Sequence, residues 1–154
     1  YKYFAELYEE NISTISLYLS SVNSISSDDV KLSERLNVPS SRLRGFKFGR
    51  VGPKDGDDYI GGNYVTTLNF SSTLPQILEN SQNTDFLLFL DIANVWGVDY
   101  DSSIQDSNEI RSAAGIAVDW FTPIGPLNFS LTQPISKASS DETESFRFNL
   151  GTTF

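Results

Sequence analysis

Ser145-Phe146-Arg147-Phe148-Asn149-Leu150-Gly151-Thr152-Thr153-Phe154 alternates without interruption. Phe146, Phe148, Leu150, Thr152 and Phe154 fall on one face; Ser145, Arg147, Asn149, Gly151 and Thr153 fall on the other. An extended strand sends successive side chains to opposite sides, so this stretch has one oily face and one polar face. Such a strand suits a boundary with hydrocarbon on one side and water on the other.

The same parity recurs upstream in about seven segments bounded by turn residues. Residues 1–8 set Tyr1, Tyr3, Ala5 and Leu7 against Lys2, Phe4 and Glu6, and Glu9-Glu10-Asn11 reads as a tight turn. Residues 12–22 place Ile15, Leu17 and Leu19 opposite Ser16, Tyr18 and Ser20. Residues 62–73 place Tyr64, Leu68 and Phe70 opposite Thr67, Asn69 and Ser71, and stop at Leu74-Pro75, where proline cannot donate to a ladder. In residues 86–96, Phe86, Leu88, Leu90, Ile92 and Trp96 oppose Leu87, Phe89, Asp91, Ala93 and Val95. In residues 110–121, Ile110, Ala114, Ile116, Val118 and Trp120 oppose Arg111, Ala113, Gly115, Ala117 and Asp119. After a turn at Thr122-Pro123-Ile124-Gly125-Pro126, Leu127, Phe129 and Leu131 oppose Asn128, Ser130 and Thr132.

Charges assign the faces. Lys2, Glu6, Asp91, Arg111, Asp119 and Arg147 all share parity with the small and polar residues. A cation on a lipid face near the midplane costs about 2–4 kcal/mol, so a membrane-spanning reading makes the interior polar. A soluble sandwich or ligand-binding barrel has the same alternation with its apolar face turned inward. Three features favour the membrane: strands of about 9–11 residues, aromatic residues near strand ends (Tyr1, Trp96, Trp120, Phe121, Phe154), and short connections alternating with long charged ones.

The net charge of -9 argues against nucleic acid as a partner. The longest strongly apolar run, Phe86-Leu87-Leu88-Phe89-Leu90, is interrupted by Asp91 and falls far short of the roughly 20 residues of a membrane helix. With no Met in 154 residues, the sequence is expected to be a piece of a longer chain. The absence of Cys gives no disulfide framework, and the absence of His removes Ser-His-Asp chemistry. No catalytic residue, cofactor or metal site is therefore expected. The acidic runs Asp55-Gly56-Asp57-Asp58 and Asp99-Tyr100-Asp101 lack the spacing of a calcium loop and read as solvated segments. Asp141 to Glu144 forms a further acidic stretch between strands.

A connection at about residues 24–60 is too long to be a simple link. It holds seven of the eleven basic residues: Lys31, Arg35, Arg42, Arg44, Lys47, Arg50 and Lys54. Leu43-Arg44-Gly45-Phe46 lies within it. A polar lumen would give this loop a berth, with Arg44 meeting Asp91 or Asp119 in a fork-shaped pair. A solvated loop touching anionic headgroups is the alternative, and the residues alone do not choose between them.

Taken together, several pieces resemble one family. Leu43-Arg44-Gly45-Phe46, Gly61-Gly62-Asn63, Arg111-Ser112-Ala113-Ala114-Gly115-Ile116, Trp120-Phe121-Thr122-Pro123-Ile124-Gly125-Pro126-Leu127 and Phe146 to Phe154 follow the order and spacing of the BamA-type outer-membrane assembly barrels, the bacterial surface antigens. The resemblance implies an all-β fold, the C-terminal portion of an antiparallel transmembrane β-barrel, about seven strands of a sixteen-stranded barrel. Residues 1–154 would be that portion, with the loop at about 24–60 directed into the lumen.

The implied activity is the folding and insertion of β-barrel clients in the bacterial outer membrane. Its partners would be unfolded clients, accessory lipoproteins and outer-membrane lipid. In the family the loop arginine meets acidic side chains on the inner wall. Asp91 sits where one is expected, and the other position, on the preceding strand, falls on Ser71. The terminal strand, with Phe146, Phe148, Leu150, Gly151 and Phe154, would be one lip of a lateral gate onto which a client strand adds. Gly151 reads either as a point of easy kinking or, more simply, as a packing concession to a bulky neighbour. A passive pore and a soluble apolar-ligand domain remain the competing classes.

Overall fold

The computed structural model describes residues 1–6, 11–25, 29–75, 83–104 and 109–151. The elements are β1 (Lys2–Ala5), β2 (Ser13–Ser21), β3 (Lys54–Asp55), β4 (Asp58–Tyr59), β5 (Tyr64–Thr73), β6 (Thr84–Trp96), β7 (Arg111–Thr122), β8 (Gly125–Ser136) and β9 (Phe146–Leu150). Among the described residues, seven strands form one sheet in the order β1-β2-β5-β6-β7-β8-β9, and every neighbouring pair is antiparallel. The small pair β3-β4 stands apart within the long connection.

The alternating faces decide the orientation of the sheet. Leu88, Ile116 and Phe148 are 45%, 49% and 50% exposed, and Leu17, Leu68, Leu131 and Leu150 stand open on the same side. Thr67, Asp91, Ala113, Ala117 and Ser130, of opposite parity, are buried. The large aliphatics thus point away from the molecule, and the small and polar residues point into it. A soluble domain with its apolar face inward does not form.

The inner face is less uniformly polar than charge parity implies. Val65, Ala93, Val95 and Ala113 make one half of it apolar, and Val38, Leu43, Phe46 and Val51 of the long connection pack on them as a buried cluster. The other half is lined by polar side chains. Thr14, Ser16, Asn69, Ser71, Asn128 and Asn149 help line a polar cavity of about 220 Å³.

Connection lengths follow the expected asymmetry only in part, since the connection from β5 to β6 (74–83) is longer than that from β8 to β9 (137–145). At one end β7 and β8 meet through Pro123 and Ile124 alone, tighter than the five-residue turn read from the sequence, with Thr122 Oγ1 donating to the Gly125 carbonyl at 2.6 Å. At the other end run the connections from β2 to β5, β6 to β7 and β8 to β9. β8 also extends past Thr132 to Ser136. A register shift between Ser112 and Ala113 skips Ile135, and Pro134 sits at that bulge, where its missing N–H is tolerated.

Tyr1 directly precedes β1 and lies beside Leu17 of β2, its carbonyl accepting from the Leu17 N–H at 2.8 Å. One aromatic assignment changes. Phe121 shares the parity of Asp119 and stands at the rim of the inner face. Trp120 at one end, and Trp96 stacked on Tyr64 at the other, do flank the apolar face. Phe154, the Glu9-Glu10 half of the first turn and Leu7-Tyr8 lie outside the described residues.

Candidate functional site

The long connection lies on the inner face rather than in solvent. It begins with single turns of 3-10 helix at Leu32–Glu34 and Ser40–Arg42, then presents Leu43-Arg44-Gly45-Phe46 to β6, β7 and β8. Arg44 donates to Asp91 three times: from its backbone N–H to Oδ2 at 3.0 Å, from Nε to Oδ2 at 2.8 Å and from Nη2 to Oδ1 at 2.9 Å. A fourth donor, Asn69 Nδ2, reaches Oδ1 at 2.9 Å and also the Arg42 carbonyl at 2.7 Å. The Asp91 side chain is fully buried, and these four donors fill its acceptor capacity.

Asn69 rather than Ser71 is the β5 residue at the carboxylate. Register puts Asn69 directly opposite Asp91, whereas Ser71 pairs with Phe89. A neutral amide stands beside the single carboxylate, so one cation meets one anion.

Phe89 was not singled out from the sequence, although its parity with Asp91 was visible. The Arg44 guanidinium carbon lies 3.5 Å from its ring centroid, adding a cation–π contact to the ion pair. The ring needs room beneath it. Gly115 lies opposite on β7, and a Cβ there would come within 2.7 Å of Phe89 Cζ and 2.1 Å of the Leu131 carbonyl oxygen.

Gly45 has φ +86°, and a Cβ on it would stand 2.5 Å from Thr132 Cγ2. Both backbone conformation and space therefore require glycine. Phe46 then turns into the apolar half of the inner face and is buried against that cluster. Nearby, Arg42 donates to Ser16 Oγ at 3.1 Å and lies over the Tyr18 ring.

Beyond the tetrapeptide, the loop is fastened to residues just before β9. Phe46 and Thr143 form an antiparallel bridge, Glu144 N–H donates to the Gly45 carbonyl at 3.0 Å, and Lys47 N–H to the Glu142 carbonyl at 2.9 Å. Asp141, in the acidic stretch between β8 and β9, is buried. It accepts from Arg111 Nε at 2.8 Å and Nη2 at 3.3 Å, from Ala138 N–H at 2.7 Å and from Gly52 N–H at 3.3 Å. Periodicity could not reveal this pair, because Asp141 lies in a connection.

On β9, Phe146, Phe148 and Leu150 stand on the exposed apolar face and Arg147 on the inner face. Gly151 has φ +113°, and among the described residues nothing lies within 4 Å of a Cβ built on it. Backbone conformation, rather than a described bulky neighbour, is what favours glycine here. The left-handed backbone turns the chain where β9 ends, and Gly151 N–H donates to the Pro126 carbonyl at 2.9 Å.

At the outer end of the loop, Asp99 joins Arg35, Val30 N–H at 3.1 Å and Asn63 Nδ2 at 2.9 Å. Burial raises its pKa, but these hydrogen bonds outweigh burial and bring it from an ordinary 3.8 down to about 2. A lowered carboxylate pKa stabilises the fold at pH above the unfolded value and loses that contribution as pH falls through the folded one. Protection of residues 30–35 from hydrogen exchange is thus expected to hold at pH 5 and to decline between about 4 and 2. Asp99→Asn should remove that pH dependence.

The whole chain, residues 1–154, matches the Omp85 superfamily domain. The chain belongs to the Omp85 superfamily. Its Omp85 sequence is 32% identical over 139 residues to "Outer membrane protein assembly factor BamA" of Neisseria meningitidis, covering 73% of this chain and 17% of that protein. It is 26% identical over 136 residues to a SAM50-like protein of Schizosaccharomyces pombe, covering 83% of this chain and 28% of the relative. The crystal structure of BamA from Haemophilus ducreyi lacking POTRA domains 1-3 aligns with a TM-score of 0.85 at 28% identity, over 96% of this chain and 32% of that one. This Omp85 chain thus spans less than a third of each of these relatives, and its sheet is an open part of their kind of barrel.

Proposed function

We propose that the full-length protein is an outer-membrane assembly factor that folds and inserts β-barrel clients without enzymatic chemistry, and that it resides in the bacterial outer membrane. The observation that carries this reading is the docking of Leu43-Arg44-Gly45-Phe46 on the inner face of a sheet that aligns with BamA over 96% of this chain. In this reading β9 is the strand whose edge opens to a client. An unpaired edge offers backbone donors and acceptors to an incoming strand, which gives affinity without demanding a particular client sequence. The open apolar face supplies the lipid contact, and unfolded clients and accessory assembly lipoproteins are the partners. The docked loop supports this reading over a passive pore, because Leu43 and Phe46 occupy the inner face that a pore keeps open.

The test is depletion of the full-length protein in cells, followed by measurement of assembled, heat-modifiable outer-membrane barrels. A fall in assembled barrels is expected, and unchanged assembly would leave a passive barrel as the reading. The lipid assignment has its own check. Leu88→Arg should lower barrel stability by about 2–4 kcal/mol, whereas Ser71→Arg, one strand away on the cavity wall, should cost far less. Equal tolerance of both would overturn the assignment.

A further inference from the structure

We infer that Arg147 latches the docked loop to the terminal strand, so that the loop tip and β9 are held or released together. Arg147 stands on the inner face of β9, and its guanidinium reaches across to the loop. Nη2 donates to the Phe46 carbonyl at 2.6 Å, and Nη1 donates to the Ser40 carbonyl. Glu144 holds the same guanidinium from the run-in to β9, accepting from Nε and Nη2. One planar cation thus joins both ends of the Ser40–Phe46 stretch to the strand.

The backbone adds to the join. The Phe46–Thr143 bridge and the bonds from Glu144 and Lys47 make the loop tip a short antiparallel partner of the segment that enters β9. Among the described residues nothing comparable ties the loop to β1, the other edge of the sheet. Among the described residues β9 has five positions in register against β8, over Phe146–Leu150, compared with ten between β5 and β6. A short strand depends more on such external fastening than a long one does. Lifting the loop tip therefore loosens β9, and freeing Arg147 loosens the loop.

Control of strand release by the loop rests on the assembly reading, but the latch itself does not. It is tested by hydrogen exchange on the full-length protein in lipid nanodiscs with no client present. Arg147→Gln is expected to raise exchange roughly tenfold or more in residues 40–47 as well as in 146–150, since two charge-assisted bonds to the loop are lost. Arg147→Lys should recover only part of the protection, because a point charge cannot serve both carbonyls and Glu144 as the planar fork does.

Coupling must be reciprocal. Gly45→Ala, which pushes the loop tip off Thr132, should raise exchange in β9. Glu144→Gln gives a milder version of the Arg147 effect and serves if Arg147→Gln does not insert. A strand change that leaves residues 40–47 protected, or a loop change that leaves 146–150 protected, would overturn the latch. A client-assembly assay on the same variants is read separately, so failure of the assembly reading is distinguishable from failure of the latch.

Discussion

Arg44→Ala in the full-length protein is expected to undock the loop. The substitution strands the Asp91 carboxylate, which is fully buried and keeps Asn69 and one backbone N–H as its remaining donors. Removing one partner of a buried ion pair costs about 3–5 kcal/mol, and the cation–π contact with Phe89 is lost as well. That is a large share of what holds a single docked loop in place. Limited proteolysis should then cut within residues 40–53, and assembly of client barrels in cells should fall. Arg44→Lys keeps the charge but loses the fork, and should be closer to alanine than to the parent. Unchanged protease resistance in Arg44→Ala would show that the apolar contacts of Leu43 and Phe46, with the bonds to Thr143, Glu144 and Arg147, hold the loop without the ion pair.

The second large effect is expected at Arg111 and Asp141, whose side chains are 1% and 0% exposed. Arg111→Ala leaves Asp141 with the N–H groups of Ala138 and Gly52, and should destabilise the region by about 3–5 kcal/mol. The measurement is the temperature at which the barrel loses heat-resistant migration. Arg111→Met with Asp141→Leu should regain much of the loss, because a well-packed apolar pair often matches a buried ion pair. If Arg111→Ala melts like the parent, the backbone donors alone suffice for Asp141. The two pairs thus differ in their expected repair: an apolar swap serves the structural clamp at Arg111, whereas at Arg44 it would discard the contact that orients the tetrapeptide.

The sheet was readable because its code is local and binary. Alternation in residues 86–96 and 110–121 set both the faces and the strand lengths, and charged residues such as Asp91 and Arg147 labelled the inner one. The loop site needed more. Parity made Asp91 and Asp119 equally open to Arg44, and what separates them is register and depth: Asp119 lies near the β7–β8 turn, beside Asn128, far along β7 from Ala113 and Gly45.

The family resemblance put the second inner-wall position at Ser71, whereas register gives the place beside Asp91 to Asn69; a shift of two residues keeps the face and changes the partner. The contacts of Asp141, Glu142 and Glu144 were beyond any periodic reading. They sit in an irregular connection, and the distant partners are Arg111 for Asp141, 30 residues away, and Lys47 for Glu142, 95 residues away. Such pairings depend on how the loop folds back, and local pattern carries no record of that path.

The odd number of strands in the sheet carries one more consequence. In an antiparallel meander of seven, β1 and β9 run in the same direction. Bending the sheet until those edges touched would therefore make a parallel seam, which a meander of this kind does not use. For the cylinder to close with opposed neighbours throughout, the rest of the protein has to contribute an odd tally of strands between these edges.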